Sequence, residues 1–129
     1  MNISDAALAS GISTKMIRYY EQIGLIPKAS RTGGGYRVYK SSEVDMLRFI
    51  KRARDLGFSM AEISELINLW RDQHRMSADV KHIAQTHILE LEQKIENMQG
   101  MVTTLQALVD SCSGDKRPDC PILVGLEKP

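Results

Sequence analysis

Hydrophobic positions along this chain recur in two rhythms, and the change between them falls just before Ser77. From Ser77 to Ser111 no proline intervenes and apolar residues return every seven positions: Leu91, Met98 and Leu105 form one series, Ile88, Ile95, Val102 and Val109 a second, and Met101 with Leu108 fills the seam. That period predicts one helix of about 50 Å at a rise of 1.5 Å per residue. Its stripe is too long for the few following residues to cover, so the pattern calls for a second copy of the chain. A long core helix within one globular domain competes, but the other segments are too short to bury several heptads. His87 and Lys94 interrupt the seam; they set register or snorkel, and His87 reads as a structural histidine rather than a ligand.

Ahead of that helix the chain is written in short amphipathic pieces. Asn2 or Ser4 caps a helix with Ile3, Ala6 and Ala7 facing inward, Gly11 stops it, and Ser13 caps a second helix from Thr14 to about Ile23. Two short helices about a glycine make a helix-turn-helix candidate. In the second, Met16, Ile17 and Tyr20 share a buried side while Lys15, Arg18 and Tyr19 project outward, as on a helix that enters a major groove. The run from Arg31 to Lys40, RTGGGYRVYK, predicts two extended segments about a glycine-rich turn, a wing carrying cations and a phenol for phosphate contact. A nucleotide-binding loop is the rival for the three glycines, but the GK[ST] and helix that it needs do not follow.

A third helix opens at Ser42-Glu43-Val44-Asp45, burying Val44, Leu47, Ile50, Ala53 and Leu56 and leaving Arg48, Lys51, Arg52 and Arg54 outside. Gly57 ends it, and Ser59-Met60-Ala61-Glu62 is a capping box for a fourth helix that buries Ile63, Leu66, Ile67 and Trp70 as a core anchor. Ser77 stands where an N-cap belongs, with Asp79 in the first turn. Beyond the long helix, Cys112 and Cys120 bracket a polar loop, followed by a brief apolar stretch from Ile122 to Val124.

Charge sharpens this division. The 129-residue chain has a formal net charge of only +1, but residues 1–60 hold ten Lys and Arg against five Asp and Glu, whereas residues 61–129 hold seven against eleven. The basic end invites a polyanion. No run approaches the eighteen apolar residues of a membrane span, and MNISDAAL lacks a signal segment, so the expected location is the cytoplasm. There the two cysteines are free thiols or metal ligands before they are a disulfide. A thiol redox-responsive regulator is the alternative among DNA-binding proteins, and a helical adaptor or multidrug-binding regulator is the alternative of another class. His74, His82 and His87 have no evident acid partner and no helix pairs two carboxylates in a credible pocket, which argues against an enzyme.

With these elements placed, the chain resembles the MerR family of metal-responsive transcription regulators over nearly its whole length. The resemblance rests on KMIRYYE (15–21), GYRVY (35–39), RARDLGF (52–58), SADVK (77–81) and the two-cysteine loop, and within the family it is to the CueR-like branch that senses monovalent copper, silver and gold. It implies a mainly all-α fold: a winged helix-turn-helix head (1–70), a linker (71–76), a long antiparallel coiled-coil dimerisation helix (77–111), and a metal-binding loop with a short C-terminal helix (112–129). It also implies a homodimer that bends and untwists double-stranded promoter DNA when metal binds, so that RNA polymerase can use the promoter. By position, Lys15, Arg18 and Tyr20 would be recognition-helix contacts, Arg31, Tyr36 and Arg37 wing contacts, Arg54 a phosphate contact, and Cys112 with Cys120 the ligands of Cu(I), Ag(I) or Au(I).

The donor chemistry agrees with that branch. Two thiolates without a nearby histidine suit a soft d¹⁰ ion, whereas Zn(II) normally takes four ligands. Their net negative charge with a +1 ion asks for compensation, which the N-terminus of a partner's helix at Ser77 would give if the helices run antiparallel, as the family's do. Divalent-ion branches carry cysteine at that place, so Ser77 removes a third ligand. Ser113 and Pro118 stand where loop residues tune gold against copper; Pro118, with AQTHI and PDCPIL around it, resembles the gold-sensing members, while Ser113 matches neither usual choice.

Overall fold

A computed structural model describes residues 1–31, 34–35 and 37–129. Among these the chain is mainly helical, in the order α1 (Ile3–Ser10), α2 (Thr14–Gln22), β1 (Ser30–Arg31), β2 (Arg37–Val38), α3 (Ser41–Asp55), α4 (Met60–Arg71), α5 (Ser77–Ser111) and α6 (Pro121–Glu127). It divides into two compact units, Met1–Ile83 and Ala84–Pro129. No helix is long and apolar enough to cross a membrane among the described residues.

Local chemistry sets the boundaries of the first unit. The Asn2 side chain accepts from the Asp5 amide to start α1, and Gly11 closes it at φ 75°, a left-handed conformation that a Cβ would strain. Ser13 accepts from the Met16 amide to start α2. At α4 the Ser59 hydroxyl accepts from the Glu62 amide while the Glu62 carboxylate accepts from the Ser59 amide, a complete capping box. Helix α3 starts one residue earlier than its sequence suggests, with Lys40 at the cap and no side-chain cap bond. The two strands pair antiparallel, Ser30 opposite Val38 and Arg31 opposite Arg37.

The apolar faces of these elements meet in one core. Ala6 of α1, Ile17 and Tyr20 of α2, Val44, Leu47, Ile50 and Ala53 of α3, Ile63 and Ile67 of α4, and Tyr39 after the wing are all buried. Two residues expected inside are not. Leu56 is half-exposed because it caps α3 just where Gly57, at φ 88°, turns the chain off the helical stripe. Trp70 is 39% exposed; it closes the edge of the unit by stacking on Phe49, ring centroids 4.8 Å apart, instead of anchoring the centre.

In the second unit, α5 carries Ile88, Ile95, Met98, Met101, Val102, Leu105 and Val109 exposed along its length. His87 is the buried residue of α5, with Nδ1 3.7 Å from a Glu90 carboxylate oxygen. Pro121 occupies the first turn of α6, where its missing N–H costs nothing. Helix α6 approaches α5 closely at Gly125: a Cβ there would come within 2.4 Å of Leu108 Cδ2.

Candidate functional site

The basic face is assembled from α2, the wing and α3. Lys15, Arg18 and Tyr19 lie exposed on α2, as the helical spacing requires once Ile17 and Tyr20 are committed to the core. Tyr20 contributes no exposed surface, so the structure changes its expected role from a direct contact to a support. Its hydroxyl accepts a 2.6 Å hydrogen bond from Arg54 Nη1, which ties the exposed α3 guanidinium to the underside of α2. Lys51 and Arg54 then border a cleft with Gly11, Ser13, Met16 and the Asp55 carboxylate at the N-terminus of α2. Of the four α3 cations, Arg48 is drawn to Asp45 and the Ala9 carbonyl, and Lys51 to Asp55, both at 3.5 Å for the ion pairs.

A second cleft of about 360 Å³ is lined by Arg18, Glu21, Gln22, Lys28, Arg31 and Arg37. Arg31 donates from Nη1 to the Gly35 carbonyl at 2.8 Å, bracing the wing tip. Arg37, expected as a free wing cation, is held instead: its Nη1 lies 3.5 Å from an oxygen of the buried Glu21 carboxylate. The other Glu21 oxygen accepts from the Tyr39 hydroxyl. Burial, followed by the hydrogen bond and charge of Glu21, pushes the Tyr39 phenol up to about 12. Tyr36, Thr32 and Gly33, which belong to the expected wing tip, lie outside the described residues. Sequence reasoning passed over Glu21; its signal was that it is the sole carboxylate between Asp5 and Glu43 in a basic stretch.

The second candidate site lies in the loop between α5 and α6. Cys112 and Cys120 are both half-buried and free, not joined as a disulfide. Cys112 follows the last turn of α5, its amide donating to the Val109 carbonyl at 3.1 Å, and Cys120 is the N-cap position of α6. Between them Asp115 gathers the loop. It accepts from Arg117 Nε at 2.7 Å, from the Arg117 amide at 2.9 Å and from the Ser113 hydroxyl at 3.0 Å. The Arg117 bonds hold the Asp115 carboxyl below the usual carboxylate range. Gly114 makes the turn at φ 66°, and Pro118 sits exposed before the second cysteine. Neither cysteine belongs to a group of three or more metal-ligating side chains among the described residues. Two free thiols are a soft donor set, so the residues present fit a soft metal ion. Ser77 is the first residue of α5, and Cys112 follows the last residue of that helix in the chain.

Comparison with known proteins places the chain in a family. The MerR HTH family regulatory protein pattern matches residues 1–69, and the MerR DNA-binding pattern matches residues 44–108. The chain is 58% identical over 123 residues to heavy metal-dependent transcription regulator 2 of Rhizobium meliloti strain 1021, covering 95% of this chain and 84% of that protein. It is 43% identical over 126 residues to the HTH-type transcriptional regulator CueR of Escherichia coli O6:H1 strain CFT073, covering 98% and 93%. Among solved structures, the transcription regulator PbrR691 of Ralstonia metallidurans CH34, in complex with lead(II), superposes with a TM-score of 0.85 at 27% identity over 98% of each chain. The family patterns cover most of the chain and the similarity to these relatives runs nearly end to end, and the chain belongs to the MerR family of transcription regulators.

Proposed function

We propose that this regulator works as a homodimer on double-stranded promoter DNA and responds to Cu(I), Ag(I) or Au(I) held by Cys112 and Cys120. The observation that carries the metal assignment is the pair of free, half-buried thiols, which belong to no group of three or more ligating side chains among the described residues. Thiolate pairs prefer soft d¹⁰ ions, and a +1 ion leaves one net negative charge for the loop to bear. Antiparallel pairing of α5 would bring the N-terminus of the partner's helix at Ser77 beside the thiols, adding a helix dipole and no thiolate. Ser113 and Pro118 flank the ligands and tune the choice between gold and copper.

DNA contact falls to Lys15, Arg18 and Tyr19 on α2, to Arg31 and Tyr36 of the wing, and to Arg54, held in place by Tyr20. These are mostly phosphate contacts, which position the protein; the first turns of α2 supply base reading. Metal binding would then bias the dimer toward a form that bends and untwists the promoter, making it usable by RNA polymerase. The names of the relatives, one heavy metal-dependent and one CueR, support the metal response.

An anaerobic titration of the reduced protein with Cu(I), Au(I) and Zn(II), each against excess small thiol, tests this. The expected result is close to one monovalent ion per chain with zinc excluded, and loss of that retention in Cys112→Ser with DNA affinity unchanged within about twofold. Failure of the native chain to retain any of the three would replace the metal sensor with a thiol redox switch.

A further inference from the structure

Glu21 is an oddity in the DNA-facing cleft. Four cations, Arg18, Lys28, Arg31 and Arg37, line the same space, and into it α2 delivers one carboxylate that is only 6% exposed. A buried carboxylate persists only when it is paired and hydrogen-bonded, and Glu21 has both an ion pair with Arg37 and a hydrogen bond from Tyr39. On the other side of the pair, Arg37 Nη1 is itself buried and makes no hydrogen bond among the described residues. The Arg37 side chain as a whole is 31% exposed, so the Glu21 pair draws one end of the guanidinium inward from the cleft, with donor capacity left over. Across the two-stranded ladder Arg37 also stands opposite Arg31, a like-charge pairing that the carboxylate offsets.

We propose that Glu21 is a charge brake on the wing: it retains Arg37 within the fold, removing one phosphate contact and so lowering affinity for DNA of any sequence. The inference rests on the DNA-contact reading given above. Wing contacts go to the phosphate backbone and carry no sequence information, so each cation withheld there weakens non-specific binding more than it weakens operator recognition through α2. A regulator that must find one promoter among many competing sites gains specificity from such a restraint.

The test measures binding of the full dimer to a duplex of scrambled sequence as salt is raised. Glu21→Gln keeps an oxygen for the Tyr39 hydroxyl, removes the charge, and turns an amide toward Arg37. It is expected to tighten binding and steepen the dependence of log affinity on log salt by about 1.8, the value of two added phosphate contacts, one from each protomer. Arg37→Ala in the native background is expected to change that slope by less than about 0.3, and in the Glu21→Gln background to remove the whole gain. A native-background Arg37→Ala that already costs the full increment of about 1.8 would overturn the brake, because Arg37 of both protomers would then be engaged with phosphate. This arm needs no Glu21 variant, so it decides the matter even if Glu21→Gln folds poorly. A well-folded Glu21→Gln with the native slope would overturn it equally. If the native dimer binds neither scrambled nor operator duplex at low salt, the DNA-contact reading falls and takes this inference with it.

Discussion

The unit Met1–Ile83 and the unit Ala84–Pro129 are made from similar helices yet close their apolar surfaces in opposite ways. In the first, every buried apolar residue finds its neighbours within the chain, from Ala6 through Ile67. In the second, seven large apolar residues at heptad spacing lie open along α5 and no apolar residue is buried among those described. The difference teaches that hydrophobic periodicity has two readings. Where short helices with caps and turns follow one another, a stripe is an instruction to fold back; where one stripe outruns any neighbour, it is an instruction to associate.

The largest effect should come from breaking the second closure. Lysine at both Ile95 and Val102 places unpaired charges in the stripe and is expected to weaken self-association by at least about a hundredfold in sedimentation equilibrium. Association at native strength would show that the stripe is not an interface. The first closure is attacked by Leu47→Ala, at a site with no exposed surface. A loss of about 2–5 kcal/mol in denaturant unfolding is expected, with self-association through α5 preserved once the head refolds. Arg18→Ala touches neither closure; it should cost about 1–3 kcal/mol of operator binding at every metal concentration, read by fluorescence anisotropy. Equal affinity would move Arg18 off the contact surface.

The smallest effect probes the seam between core and wing. The Tyr39 phenol is raised from 10.0 to about 12, so the folded head binds its proton more tightly than the unfolded chain does. That contribution is fully present below pH 10 and is lost as pH rises through about 12. Alkaline unfolding curves of Tyr39→Phe should therefore decline less between those values than the native chain's, and an identical decline would detach Tyr39 from the titration.

What was legible in the sequence follows from range. Ser13, Ser59 with Glu62, Gly11 and Gly57 act on residues three or four positions away, so their roles can be read from the local string. The span Ser77–Ser111 was legible because seven-residue repetition accumulates over many turns. Tyr20 with Arg54, and Glu21 with Tyr39 and Arg37, meet only after the core has closed; pairs 34 and 18 residues apart leave no periodic trace. The same holds for Leu56 and Trp70, whose exposure depends on where neighbouring elements end. At the loop, the two thiols and their spacing are plain in the string of residues, whereas the Asp115 bonds that gather Ser113 and Arg117 arise only from the folded turn.

The open stripe of α5 has a consequence for dosage. An element that is covered only by a second copy obeys mass action, so its stability rises with the amount of protein present, while the closed head keeps the same stability at any dilution. In a cell holding few copies, the supply of chains itself would govern how many paired heads exist to meet a promoter, before any metal arrives.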